Sequence, residues 1–465
     1  MDRPQSLGEL RRSGWVSRPV KQEVRRNAMA RMAAGEPVVT GLVGYDDTVL
    51  PALENALLAG HDMILLGERG QAKTRIIRAL VDLLDEWTPV VAGTEINDDP
   101  YGPISRPARD LVAARGDDTP VEWVHRSTRF GEKLATPDTS IADLIGEVDP
   151  IRVAEGRYLA DELTIHYGLV PRTNRGIFAI NELPDLAERI QVGLLNVLEE
   201  RDVQIRGYKV RLPLDVMLVA SANPEDYTNR GRIITPLKDR FGAQIRTHYP
   251  PDVVTEMAVV ALESRVGDAE GVRVFVPGFM SELVAAITQA ARRSSHVNQR
   301  SGVSVRLSIA NQETLAANAL RRALRTGEKE AVPRISDLPA LAASTAGKVE
   351  IEALEEGREA DIVERLVRTA VLETFRSRCR PESLRDLVAA FDEGLEVETG
   401  EDVPSTAYAA LADLPGVKAV LSDLGVGEAP AEVASAVELV LEGLHLSKRL
   451  NKDAYGARAT YRGRG

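Results

Sequence analysis

Apolar positions along the 465 residues fall into two regimes. Through the first half, short apolar runs of strand length alternate with amphipathic helical stretches, the pattern of an α/β sheet with crossover helices. It predicts strands at 62–66, 89–92, 176–180, 216–220 and 244–247. From about residue 251 strand signals fade, and apolar positions recur at helical spacing in "FMSELVAAITQAARRS" and "NQETLAANALRRAL". Beyond residue 350, "EADIVERLVRTAVLETFRSRC" and "AEVASAVELVLEGLHLSKRL" are again helical, joined by a Gly-, Pro- and Asp-rich stretch around 395–430. The expected organisation is a basic N-terminal extension (1–40), an α/β core (41–250), a helical lid (251–350) and an all-helical C-terminal region with a basic tail (351–465). No internal repeat or low-complexity block interrupts it.

Composition narrows the function classes. Hydrophobic residues at 44% and charged residues at 28% are ordinary for a soluble globular protein. No run approaches the roughly 18 apolar residues of a membrane helix, and the charged N-terminus lacks an apolar signal core, so a cytoplasmic protein without membrane insertion is expected. Cys379 is the single cysteine, and six scattered histidines give no zinc spacing. A net charge of -12 argues against nucleic acid as a partner. Both ends are nevertheless basic, which reads as solvated tails or as docking segments for an acidic partner.

The stretch with the most chemistry is "MILLGERGQAKTRIIRAL", residues 63–80. An apolar strand runs into a glycine loop, a Lys-Thr pair and a helix, the arrangement of a phosphate-binding loop, with Ala72 where the pattern G-x-x-x-x-G-K-[ST] has its second glycine. Backbone N–H groups of Gly67, Glu68, Arg69, Gly70, Gln71 and Ala72 would cradle phosphate oxygens, Lys73 would meet the β and γ phosphates, and the Thr74 hydroxyl would ligate magnesium. Alanine is tolerated at 72 if its backbone is helical, while Gly67 and Gly70 supply the tight turns. The alternative is a chance glycine turn with an exposed lysine.

A second element follows the apolar strand in "RGIFAINELPDL". Nucleotide hydrolases usually end this strand in Asp-Glu, one carboxylate organising magnesium and the other polarising the attacking water. Here the pair is Asn181-Glu182, so Glu182 keeps the base while Asn181 offers the metal a neutral oxygen. "VMLVASANPEDY" ends a further strand in Asn223, an amide for the lytic water or the γ phosphate, although Asn-Pro is also ordinary turn chemistry. Between these strands, "LLNVLEERDVQIRGYKVRL" reads as a helix and a hairpin around Gly207. Arg240, in "LKDRFG", is either a surface ion-pair residue or a finger for a neighbouring subunit's γ phosphate. Arg306 stands near a helix start, where the dipole disfavours a cation and an anionic partner would suit it.

In this order and spacing the segments resemble the AAA+ ATPases, specifically the group of magnesium-chelatase I subunits and MoxR-type ATPases, over roughly residues 40–310. "GERGQAKT" is similar to MoxR-like loops even in its alanine. "DLIGEVDPIRVAEGRYLADELTIHYGLVPRTNRGIFAINEL" resembles the chelatase stretch leading into the Walker B strand. The resemblance implies an AAA+ P-loop core with a Walker A loop at 67–74, a Walker B pair at Asn181 and Glu182, a first sensor at Asn223, an arginine finger at Arg240 and a second sensor at Arg306. It also implies ATP and magnesium, a ring commonly of six subunits, and a partner carrying a von Willebrand A domain.

The expected function is therefore an ATP-driven motor remodelling a partner protein. Two alternatives stand beside it: the motor subunit of a magnesium chelatase acting on a porphyrin, and an assembly switch that binds ATP and hardly hydrolyses it, for which Asn181 is the argument. The long helical segment after residue 350 departs from a chelatase I subunit. An enhancer-type transcription activator would carry "GAFTGA", which is absent; a GTPase would show N-K-x-D, and "NKDA" lacks the final aspartate. Overall acidity argues against a DNA translocase.

Overall fold

Five strands run parallel in the order Ala243–Arg246, Met63–Leu66, Val216–Ala222, Gly176–Asn181, Phe130–Leu134. The apolar runs of the three inner strands are continuous because both sheet faces are covered there, as parallel sheets require. Alternate residues feed two separate cores. Met63, Leu65, Ile177, Ala179, Met217 and Val219 enter one, and Ile64, Phe178, Ile180, Leu218 and Ala220 enter the other. The computed structural model describes residues 3–148, 165–199, 203–205, 208–210, 212–224, 232–269, 271–299, 301–351, 358–414 and 416–464. Part of the chelatase-like stretch (149–164), Gly207 and residues 225–231 lie outside the described residues. Contacts gather into two units, 1–248 and 249–465.

The strand expected at 89–92 exists but not in this sheet. Trp87–Val91 pairs antiparallel with Val121–His125, and the fifth place goes to Phe130–Leu134. That strand lies at the sheet edge with its residues half-buried or exposed, so "FGEKL" carries no apolar run to announce it. The hairpin is formed by Val203–Ile205 and Tyr208–Val210.

The N-terminal segment is not a solvated extension. Helix Val20–Ala33 places Val20, Val24 and Ala28 one turn apart on one face, and all three are buried in the core that also takes Ile76 and Ile77 of the loop's helix. Its charges obscured that stripe in the sequence, and several are paired: Lys21 with Asp62 at 2.7 Å, and Arg26 with Asp85. Glu23, on the same helix, meets the fully buried Arg129 through two hydrogen bonds of 2.8 and 2.6 Å.

The second unit is mainly helical, with the long helices Gly278–Arg293, Arg306–Thr326, Glu359–Arg378 and Pro430–Leu446. One core runs through it. Phe279, Leu283 and Ile287 from the expected lid pack in the same cluster as Val371, Phe375, Val437 and Leu441 from the expected C-terminal region. The division at 350/351 therefore does not separate two cores. Nor is the C-terminal part all-helical: Glu396–Gly400, Arg458–Arg462 and Asn451–Tyr455 form an antiparallel sheet. The basic tail is its central strand, with Arg458 paired to Glu398 and Asp402 and Arg462 to Asp453. Ala459 and Tyr461 alternate inward opposite Val397, a period-two signal too short to stand out beside helices.

Cys379 lies in this core. Burial, reinforced by the charge of Asp423, pushes its thiol up to about 12. At pH 8 the reactive thiolate is then only about 10⁻⁴ of the population. Native protein is expected to resist a disulfide-exchange reagent and to release one thiol per chain after denaturation in guanidinium; rapid labelling of folded protein would contradict this burial.

Candidate functional site at the strand ends

The loop between strand Met63–Leu66 and helix Lys73–Ala79 is shaped by what crowds it. Gly67 is not a positive-φ residue; it is needed because a Cβ there would lie 1.9 Å from Thr247 Oγ1 and 2.2 Å from Gln71 Oε1. Gly70, at φ 76°, makes the turn. Ala72 does not meet the condition under which alanine is free of strain there, a helical backbone. It is left-handed, at φ 53° and ψ 13°, immediately before the helix. A non-glycine residue there costs about 1–2 kcal/mol, so the loop is strained where the usual pattern has glycine.

Buried side chains support the loop from beneath. Gln71 Oε1 accepts from the Glu68 N–H at 3.0 Å and from Thr247 Oγ1 at 2.9 Å. The Tyr45 hydroxyl reaches the carbonyls of Gln71 at 2.9 Å and His248 at 3.0 Å. Burial pushes that phenol's pKa well up, so the hydroxyl keeps its proton. Arg69 is exposed, as a side chain at a loop tip must be.

Lys73 is buried and folded over its own loop. Its ammonium donates to the carbonyl of Gly67, to that of Glu68 at 2.8 Å, and to Asn223 Oδ1 at 2.7 Å. The other end of the Asn223 amide donates from Nδ2 to Glu182 Oε2 at 2.9 Å. An amide accepts from the ammonium at its oxygen and donates to the carboxylate from its nitrogen, which fixes which way Asn223 points. The structure thus joins three sequence candidates, Lys73, Asn223 and Glu182, through one side chain.

Glu182 is itself left-handed, at φ 56° and ψ 49°. The chain turns sharply where the strand ends, a strained backbone of the kind that clusters at functional sites. Its N–H donates to Ser221 Oγ at 3.3 Å, and Ser221 Oγ donates to Asn181 Oδ1 at 3.2 Å. Asn181 Nδ2 donates in turn to Glu132 Oε1 at 2.6 Å. Glu132 is clasped from its far side by Arg78, Nε to Oε2 at 2.9 Å and Nη2 to Oε1 at 3.2 Å. A continuous polar line therefore crosses the carboxyl ends of adjacent parallel strands, where open α/β sheets bind ligands.

Beside the loop is a cavity of about 330 Å³, lined by Gly67, Glu68, Gln71, Thr247, Lys238 and Arg246 among others. Its size is at the lower end for ligand pockets, and its two cations suit an anionic ligand. Thr74, half-buried, opens the helix beside Lys73. The hydroxyl of Thr74, the amide oxygen of Asn181 and the carboxylate of Glu132 are hard oxygen donors, the set that suits magnesium held jointly with phosphates. Among the described residues no group of three or more His, Cys, Asp or Glu side chains forms a cage for a metal.

Two candidates remain. Arg240 ends the short helix Thr235–Arg240, exposed. Arg306 begins helix Arg306–Thr326 in the second unit, also exposed. Sequence reasoning missed Ser221, Tyr45, Thr247 and Glu132. Ser221 sits inside an apolar strand, and Glu132 on the strand with no apolar run; neither had a local signal.

Comparison with known proteins bears on the same region. The Sigma-54 interaction domain family matches residues 155–240. The magnesium-chelatase subunit ChlI of Nephroselmis olivacea is 30% identical over 286 residues, covering 58% of this chain and 74% of that protein. The ChlI subunit of Mesostigma viride is 28% identical over 282 residues, 58% of this chain and 72% of its own. Among solved structures, a chain of the BchI–BchD complex of magnesium chelatase matches at 22% identity over 71% of this chain and 93% of that one, with a TM-score of 0.35.

Proposed function

We propose, from the premise that this chain belongs to the AAA+ family of magnesium-chelatase I (ChlI) subunits, that it binds ATP in the loop Gly67–Thr74 and hydrolyses it to rearrange a partner protein. The observation that carries the reading is the Asn223 amide held between Lys73 and Glu182. It links the group that grips phosphate to the group that activates water, so what happens at one is felt at the other.

In this reading Lys73 leaves its loop carbonyls for the β and γ phosphates, joined by the backbone N–H groups of the loop. Release of Lys73 frees the Asn223 oxygen to orient the lytic water. Glu182, kept in place by its strained backbone and the Asn223 amide, takes the proton of that water. Magnesium, held through Thr74 and the Asn181 side, supplies charge neutralisation at the phosphate oxygens when bound. Arg240, exposed at a helix end, serves a neighbouring subunit's site as its finger, and Arg306 takes the part of the second sensor that the family resemblance implies. A ring, commonly of six, and a von Willebrand A domain partner belong to the same proposal. So does cytoplasmic residence; among the described residues no helix is long and apolar enough to cross a membrane.

Two further readings have support of their own. The names of the relatives, magnesium-chelatase subunit ChlI, favour the motor subunit of a magnesium chelatase. The neutral Asn181 favours an ATP-dependent assembly switch with slow turnover. The primary test is calorimetry of ATP into the full chain with magnesium, followed by phosphate release and by sizing with a non-hydrolysable analogue. Saturable uptake, turnover and a larger assembly are expected; folded protein that takes up no adenine nucleotide overturns the proposal.

A further inference from the structure

Asn181 lacks the charge that its position ordinarily brings to magnesium, yet a carboxylate lies 2.6 Å from its amide nitrogen. Strands Phe130–Leu134 and Gly176–Asn181 are parallel neighbours, with Glu132 opposite Ala179 and Leu134 opposite Asn181. Side chains two apart on a strand share a face, so Glu132, Ala179 and Asn181 lie on the same one. The Glu132 carboxylate is therefore a diagonal neighbour of Asn181, within reach of the same ligand.

Its second partner ties it to the loop's helix. Arg78 stands four residues after Thr74 in helix Lys73–Ala79, one turn along the same helix face. Its guanidinium forks onto both Glu132 oxygens, at 2.9 and 3.2 Å. The carboxylate is thus clamped between the strand that ends in Asn181 and the helix that begins with Lys73 and Thr74. The Glu132 side chain is about one-fifth exposed, while Arg78 is 64% exposed. A fork so open to water adds little stability by itself; what it does is aim the carboxylate.

We infer that Glu132 supplies the negative charge missing from Asn181: the magnesium-organising carboxylate of this site has moved from the end of one strand to the side of the next, and Asn181 is the amide that holds it in register. Glu132 is a positioning residue, acting on the metal's water shell and through Asn181. Asparagine at 181 is then a requirement of the arrangement, since an aspartate there would set two carboxylates against each other where one hydrogen bond now stands. This inference rests on the ATP-binding reading above.

The test is a transposition. Affinity for AMP-PNP is measured on the full chain with Mn²⁺ and in EDTA, and the ratio of the two dissociation constants reports metal coupling. In E132Q the coupling is expected to weaken by about 10–100-fold, the usual cost of losing a residue that supports a metal from outside its ligand shell. Binding in EDTA should be unchanged. In E132Q/N181D the amide and carboxylate exchange strands, the hydrogen bond is restored with its polarity reversed, and coupling should return. N181D alone is expected to lower the melting temperature of the metal-free protein and to recover with Mn²⁺ and AMP-PNP.

Undiminished coupling in E132Q reduces Glu132 to an ion-pair partner of Arg78 and overturns the inference while the ATP reading stands. Failure of the native protein to bind AMP-PNP under either condition overturns both. Should E132Q fail to fold, the double variant decides alone: native coupling supports the transposed carboxylate, and weak coupling in a folded double variant defeats it.

Discussion

Glu182→Gln is expected to leave ATP uptake intact and to lower phosphate release by about 10²–10⁴-fold, the range over which a positioned general base acts. The substitution is nearly isosteric. Its amide oxygen can still accept from Asn223 Nδ2, which now bonds Glu182 Oε2 at 2.9 Å, so Lys73, Asn223 and the loop keep their arrangement. Only the ability to take a proton is lost. Nucleotide affinity by calorimetry and phosphate release under saturating ATP separate the two effects. If the native protein and the variant turn over equally slowly, hydrolysis is not what the site does, and the assembly-switch reading replaces the motor.

The second large effect is one of stability. Arg129 is 1% exposed, and its guanidinium bonds both oxygens of Glu23, the Thr88 hydroxyl at 2.6 Å and the carbonyl of Arg175. Glu23→Ala leaves that charge buried with no counterion, which typically costs about 3–5 kcal/mol. At about 2–4 °C per kcal/mol for a body of this size, the first unit should melt roughly 6–20 °C lower. Glu23→Leu with Arg129→Met should regain most of the loss, because no unpaired charge remains. A loss under about 1 kcal/mol in Glu23→Ala would mean the N-terminal helix is dispensable. Arg129 also immediately precedes the strand bearing Glu132, so melting and metal coupling are best measured on the same preparations.

What could be read from the chain follows from how far each signal reaches. Strands at 63–66, 176–181 and 216–222 were legible because burial on both faces of a parallel sheet leaves unbroken apolar runs. The strand at 130–134 was not, because an edge strand need not be apolar. The N-terminal helix was misread as an extension because its charges outnumber the three residues of its stripe, and the tail was misread because its central strand pairs with Glu396–Gly400, 58 to 66 residues away, as well as with the adjacent Asn451–Tyr455. Alanine at 72 would be free of strain only in a helical conformation; its backbone is left-handed instead, which local propensity does not encode.

By itself the sequence determined the elements and the chemical inventory: a glycine loop with Lys73 and Thr74 after a buried strand, Glu182 and Asn223 at the ends of two others, and membership of the AAA+ family. Tertiary structure decided which of these groups touch. Neighbours along a strand are set by covalent spacing and can be counted, whereas strand order and register bring Glu132 to Asn181 and Asn223 between Lys73 and Glu182 across 41 to 150 residues. Those contacts depend on how the whole sheet packs, and no local stretch of residues carries that information.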